Sequence, residues 1–122
     1  MEYYQKQPHQ GKYKNPTDCP VINTLSLISG KWKMVIFWAI VNDINRFGAI
    51  MKAVPDISKR MLTKELRELE MDELVSRQVY AEVPPRVEYS LTDRGKSLMP
   101  ILEEMKRWGE MNFDQSSTQA YK

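Results

Sequence analysis

The spacing of apolar side chains divides the chain into segments of different period. Residues 1–17 show no period, with Pro8, Gly11, Asn15 and Pro16 interrupting a polar stretch. They read as a flexible N-terminal arm that carries Lys6, Lys12 and Lys14. A helix is expected to open at Asp18-Cys19-Pro20, where the missing N–H of Pro20 is not needed in a first turn. Val21, Leu25 and Ile28 then share one face, and Gly30 closes the helix. From Lys31 to Val41 the chain is apolar on nearly every side, as in a helix buried in the core. Asn42-Asp43-Ile44-Asn45 predicts a turn.

Phe47, Ile50, Met51 and Val54 follow the spacing of a short amphipathic helix, which Pro55-Asp56 breaks. Ser58 is placed to cap the next helix, which runs to about Met71 with Leu62, Leu66 and Leu69 as its apolar stripe. From Leu74 the period falls to two. Val75, Arg77 and Val79 alternate with Ser76, Gln78 and Tyr80; Val87, Tyr89 and Leu91 alternate with Glu88 and Ser90. Two strands around Glu82-Val83-Pro84-Pro85 make a hairpin. Thr92 caps a final helix with Leu98, Leu102, Met105 and Trp108 on one face, and Pro100 should kink that helix or shift its start. Residues 113–122 read as a C-terminal tail.

The fold class that follows is mainly α with a small β-hairpin. A short helix, a break and a second capped helix form a helix-turn-helix, and the hairpin directly after it is a wing. Residues 18–112 thus make one winged helix-turn-helix domain. On a helical wheel of the second motif helix, Arg60, Thr63, Lys64 and Arg67 lie opposite the leucine stripe. Arginine and lysine suit phosphate oxygens and the acceptor edge of guanine, and threonine suits a phosphate or a thymine methyl. Ser58 and Lys59 stand at the helix N-terminus, where an anion is favoured. Arg77 on the first strand and Arg86 beyond Pro84-Pro85 are the wing's candidates for the negative minor groove. The plainer alternatives are a solvated charged face, with Glu65 and Glu68 pairing locally to Lys64 and Arg67, and an Arg86 that only pairs with Glu82 or Glu88.

Composition narrows the choice of chemistry. Charged residues make up 28% of the 122 residues, and the net charge is only +2. That sum hides a sorting: residues 58–67 carry +3 and residues 68–73 carry −4. One cysteine and one histidine leave no disulfide within the chain, no cysteine zinc site and no expected metal or cofactor. The longest apolar run, Met34–Val41, falls far short of the ~20 residues that span a bilayer, and no signal peptide opens the chain. A reduced, cytoplasmic setting is expected. Catalysis is not expected, because His9 lies in the arm and there is no phosphate-binding glycine loop or nucleophile–base pair.

Several segments together resemble the HxlR-type family of bacterial winged-helix transcriptional regulators, a branch of MarR-like proteins. They are Cys19-Pro20, Gly30-Lys31-Trp32-Lys33, Arg46-Phe47, Ile57-Ser58, Met61-Leu62-Thr63, Leu66-Arg67-Glu68-Leu69-Glu70, Val83 through Thr92, Gly95 and Trp108-Gly109. The resemblance covers residues 18–110. It implies a homodimer built from the first and last helices, bound to double-stranded DNA at a pseudo-palindromic operator, with Arg46 among the contacts and repression the commoner mode. Two departures stand out. Gly48-Ala49 replaces a polar residue and a glutamate, which implies a looser first motif helix. Asp72-Glu73 replaces Asp-Gly, and because glutamate tolerates a left-handed backbone poorly, that turn is expected to differ.

Cys19 begins a helix, where the dipole favours a thiolate, while Asp18 beside it opposes one. Some members of the resembling family sense oxidants or electrophiles at the matching cysteine. For this chain the implied chemistry is a Cys19–Cys19 disulfide across a dimer, or an adduct with a small electrophile or oxidant. The alternative is an inert cysteine that packs an interface. Two other functional readings stay open: a winged-helix module that binds an acidic protein through its basic helix, and a DNA-binding regulator controlled without cysteine chemistry.

Overall fold

The computed structural model describes residues 15–113. A 3-10 turn over Pro16–Asp18 precedes helix α1, Pro20–Ile28, and α2 follows over Lys33–Val41. Then come α3, Phe47–Ala53, and α4, Lys59–Met71. The hairpin strands are β1, Val75–Tyr80, and β2, Arg86–Leu91, after which α5, Asp93–Ser97, leads into α6, Met99–Asn112. This is the expected winged helix-turn-helix order. Residues 1–14 of the predicted arm and 114–122 of the tail lie outside the described residues. Within the arm's described end, Asn15 Oδ1 accepts the backbone N–H of Thr17 at 3.0 Å, so local order begins before residue 18.

The core sits where α2 packs against α3, α4 and β2. Ile36 and Phe37 of α2, Ile50 of α3 and Leu62, Leu66 and Leu69 of α4 are all buried, which makes α2 the central helix its composition predicts. The all-apolar character of α2 has an exception, however. Lys33 is itself buried, and Val35 is exposed.

The break between α3 and α4 is built as the sequence implies. Asp56 takes a left-handed backbone (φ 67°), which aspartate accommodates. Val54 and Ile57 on either side are buried, and Ser58 Oγ accepts the Met61 N–H at 3.0 Å as the α4 cap. α3 forms in spite of Gly48-Ala49, both of which face solvent.

One expectation is corrected and two are made more specific. The turn after α4 keeps its left-handed residue although Glu73 occupies it, at φ 61°. The Leu74 N–H bonds the Leu69 carbonyl (3.0 Å) and the Glu73 N–H bonds that of Glu70 (2.9 Å), the double closure of a Schellman motif. Those bonds and burial of Leu74 hold the conformation against the side chain's preference. The final helix is two helices, and of the two outcomes expected for Pro100 the shifted start is the one found, since Pro100 stands in the first turn of α6. The third concerns residues 42–45, read as a turn. Asp43 does turn the chain at φ 65°, but Asn45 accepts the Tyr89 N–H at 2.9 Å and Arg46 pairs with Glu88 in an antiparallel bridge. The β2 strand is therefore flanked on both sides.

In the hairpin, Val75 pairs with Leu91 and Tyr80 with Arg86. Only its base is buried, at Val75 and Tyr89; from Ser76 to Val79 β1 is exposed on both faces, so the wing projects. Among the described residues no single helix is long and apolar enough to cross a membrane.

Candidate nucleic-acid interface

The α4 helix exposes a basic face because its leucines point the other way. Leu62, Leu66 and Leu69 are buried, and Lys59, Arg60, Lys64 and Arg67 are exposed. These four cations, with Thr63 and Glu68, line one shallow groove along the helix. Thr63 is half-buried, and its hydroxyl donates to the Lys59 carbonyl at 2.8 Å, which fixes the rotamer on the groove floor. Ser58 spends its oxygen on the cap.

The cations fall into two classes. Among the described residues, Lys59, Arg60 and Arg67 make no ion pair. Lys64 lies 3.9 Å from Glu68, a loose pair one helical turn apart. Arg77 lies 3.5 Å from Glu70, joining β1 to α4. Arg46 Nη2 meets Glu88 Oε2 at 3.2 Å. Arg86 pairs with Glu82 at 3.1 Å and Glu88 at 3.6 Å, and its guanidinium stacks over the Tyr80 ring at 3.9 Å. The local pairing weighed for Arg86 is thus present, while the pairing of Arg67 with Glu65 or Glu68 is not. A second cleft, between α4 and the hairpin, brings Phe47, Arg67, Arg77 and Tyr89 together. Burial raises the Tyr89 phenol above its ordinary pKa; the charge of Glu70 adds to this and that of Arg77 opposes it.

Glu68 has a partner that its sequence neighbourhood did not reveal. It accepts a 2.8 Å hydrogen bond from Lys33 Nζ, which reaches out from the buried side of α2. That hydrogen bond, then the Lys33 charge, lowers the Glu68 carboxyl below its ordinary pKa, outweighing the burial that raises it. The pair gives the buried ammonium its counter-charge and ties α4 to the core. The signal was present as a lone lysine inside an otherwise apolar helix. The pairing of Arg86 with Glu88 was anticipated, but that of Arg46 with the same carboxylate was missed, because 42 positions separate the two residues.

Cys19 occupies the N-cap of α1, half-buried, with no side-chain capping bond. Along the same helix Val21, Ile22 and Leu25 are exposed, as are Met105, Trp108 and Met111 on α6. These are apolar stripes on the two helices expected to build a dimer.

Comparison with known proteins agrees with this geometry. A model of the HxlR-like helix-turn-helix family matches residues 27–117. An HTH-type transcriptional regulator of Bacillus subtilis strain 168, YybR, is 50% identical over 102 residues, which span 84% of this chain and 82% of that protein. Among solved structures, the redox regulator HypR in its reduced form superposes with a TM-score of 0.74 at 48% identity, covering 82% of this chain and 99% of that one. The reduced form of the B. subtilis regulator YodB gives 0.68 at 36% identity, over 79% and 96% of the two chains.

Proposed function

The chain belongs to the HxlR-like helix-turn-helix family of transcriptional regulators, and from that premise we propose that it is a homodimeric, sequence-specific DNA-binding repressor whose α4 enters the major groove. One observation carries the reading: Lys59, Arg60 and Arg67 stand exposed on one helix face, unpaired among the described residues, directly beside a projecting hairpin. Arg60 and Arg67 are the base readers, Lys59, Lys64 and the hydroxyl proton of Ser58 meet phosphates, Thr63 offers its methyl group to a thymine methyl, and Arg46, Arg77 and Arg86 serve the flanks and wing. The exposed stripes of α1 and α6 support a dimer, because two such surfaces on a small domain are stabilised by covering each other. Half-sites would then lie about 34 Å apart.

The test is fluorescence anisotropy on the DNA upstream of the coding sequence at two salt concentrations. Binding that weakens steeply with salt is expected, as phosphate contacts release counterions. The double variant Arg60→Ala, Arg67→Ala should lose discrimination between this DNA and a scrambled duplex while remaining a folded dimer. Retained discrimination refutes the assignment. Absence of binding at either salt concentration favours the module that binds an acidic protein.

A second layer is redox control through Cys19, favoured by its half-buried place at the start of α1 and by the likeness to HypR, a redox regulator. Two Cys19 thiols of a dimer would lose two protons and two electrons to a peroxide or hypochlorite, which is reduced, and gain one S–S bond. A single thiol could instead add to a small electrophile. Oxidant should release the parent from DNA and leave Cys19→Ser bound; equal release of both proteins rules the cysteine out and leaves a regulator without thiol chemistry.

A further inference from the structure

Among the described residues, Glu88 stands at the one place where the helix-turn-helix and the wing are joined by both backbone and charge. Its backbone bridges Arg46, and the next residue, Tyr89, donates its N–H to Asn45 at 2.9 Å. Its carboxylate oxygen Oε2 lies 3.2 Å from Arg46 Nη2 and 3.6 Å from Arg86 Nη1. Arg46 immediately precedes α3, and Arg86 opens β2. One acceptor therefore fixes two guanidinium groups that come from opposite walls of the cleft between α3 and the wing tip. Arg86 is held from two further directions, by Glu82 at 3.1 Å and by the Tyr80 ring.

We propose that Glu88 is a positioning residue for DNA recognition, which sets Arg46 and Arg86 at a fixed separation and holds the wing at a fixed attitude to α4. The proposal rests on the DNA-binding reading above. A carboxylate on a DNA-facing surface repels phosphates, so taken alone Glu88 weakens binding to every sequence. Its placement between two arginines gives the compensating effect. A charge-assisted bond to the shared carboxylate orients Arg46, and the ion pair at 3.6 Å adds to the Glu82 and Tyr80 contacts that restrain Arg86; an oriented fork discriminates better than a freely swinging one. The backbone bridge makes the constraint mechanical as well. Arg46 cannot slide along β2 without breaking the neighbouring Tyr89–Asn45 bond, which couples the wing to the start of α3.

This separates two quantities that a merely structural role would change together. Losing the carboxylate removes a negative charge and frees two cations, so affinity for arbitrary DNA should rise. Losing the orientation should lower the advantage of the preferred sequence. Glu88→Gln keeps the size and a neutral acceptor, and Glu88→Asp keeps the charge on a shorter stem that reaches one arginine at a time. The probes are a duplex selected by the parent from a random-sequence pool and a scrambled duplex of the same composition, titrated over a salt series. For Glu88→Gln the expected result is an affinity ratio lowered about tenfold, comparable to one base-reading side chain, with scrambled-duplex binding equal or tighter and a steeper salt dependence. Glu88→Asp should recover the parent's weak scrambled-duplex binding but not its ratio.

An unchanged ratio in Glu88→Gln overturns the proposal while leaving the DNA-binding reading intact. Equal weakening on both duplexes, with a lowered unfolding midpoint, overturns it too, because Glu88 would then only stabilise the fold. A parent that binds neither duplex overturns both readings together.

Discussion

Replacing Gly95 with alanine should unfold the base of the wing, and the structure sets the size of the effect. Gly95 is buried in the short helix α5, pressed against the first residue after the α4 turn. A Cβ there would lie 2.1 Å from the Leu74 carbonyl oxygen and 3.1 Å from its carbon. Ordinary C···O contact begins at about 3.3 Å, so α5 and Leu74 would have to separate by roughly 1 Å. That carbonyl accepts the Thr92 N–H at 3.1 Å, and the Thr92 hydroxyl both donates to Glu73 O and accepts from Gly95 N at 3.0 Å. The required movement breaks at least two of these bonds, at about 1 kcal/mol each. Overpacking against backbone adds about 1–3 kcal/mol, and the better helix propensity of alanine returns under ~1 kcal/mol. The net loss is about 2–4 kcal/mol, or roughly 10–25 °C in the unfolding midpoint of a domain this size. Thermal unfolding followed by far-UV circular dichroism, at one fixed protein concentration, measures it. A midpoint within about 2 °C of the parent would mean that α5 shifts freely and that the Leu74–Thr92 junction does not anchor the wing.

Other consequences follow from single contacts. Glu73→Gly relieves a left-handed residue in the Schellman turn and should stabilise the fold by about 0.5–1 kcal/mol, read as a higher urea midpoint at unchanged slope. Ser58→Ala removes the α4 cap and should destabilise by about 1 kcal/mol; Ser58→Asp should restore most of that loss. Because the Glu68 carboxyl titrates below its ordinary value of 4.5 in the folded chain, the Lys33–Glu68 pair stabilises fully above that value. Its contribution is lost as pH falls through the lower, folded-state value. Stability measured from pH 6 downward should therefore fall more gently in Glu68→Gln than in the parent, and parallel curves would show that the pair is not what titrates. Leu66→Ala, at a fully buried position of α4, should cost about 2–5 kcal/mol and lower DNA binding only in proportion to the unfolded fraction.

Much of this architecture was legible because each element advertises itself locally. The leucine stripe of α4, its serine cap, the break at Pro55-Asp56 and the two-residue period of the hairpin are all short-range signals. The two proline effects differ for a physical reason. Pro100 can stand in the first turn of a helix without losing a hydrogen bond, so the chain starts a new helix there instead of bending an old one. What stayed hidden was long-range. Lys33 and Glu68 are 35 positions apart, and Arg46 and Glu88 are 42 apart, so neither pair leaves a periodic trace. The third strand segment at Asn45-Arg46 is a single bridge, too short for alternation to register. Glu73 failed in the opposite sense. The local preference was read correctly, and tertiary contacts overrode it.

The interface also shows why a net charge of +2 says little about a surface built to meet a polyanion. Arg46, Arg77 and Arg86 each have a carboxylate within 4 Å and are nearly neutralised at long range. Glu68, 3.9 Å from Lys64, is already the counter-charge of Lys33 and leaves Lys64 largely uncompensated. Along this interface the field felt by an approaching phosphate therefore comes chiefly from Lys59, Arg60, Lys64 and Arg67, all on α4. Attraction is concentrated on the helix that would enter the groove, while the wing arginines are held near neutrality until contact. Only at short range could a phosphate compete with Glu82 or Glu88 for Arg86, exchanging one charge-assisted bond for another. Such an exchange adds little affinity on any sequence, but it requires the phosphate to arrive where the guanidinium already points. The acids among the cations thus convert part of a non-specific attraction into a demand on geometry, which is the property a regulator needs when most of the DNA it meets is the wrong sequence.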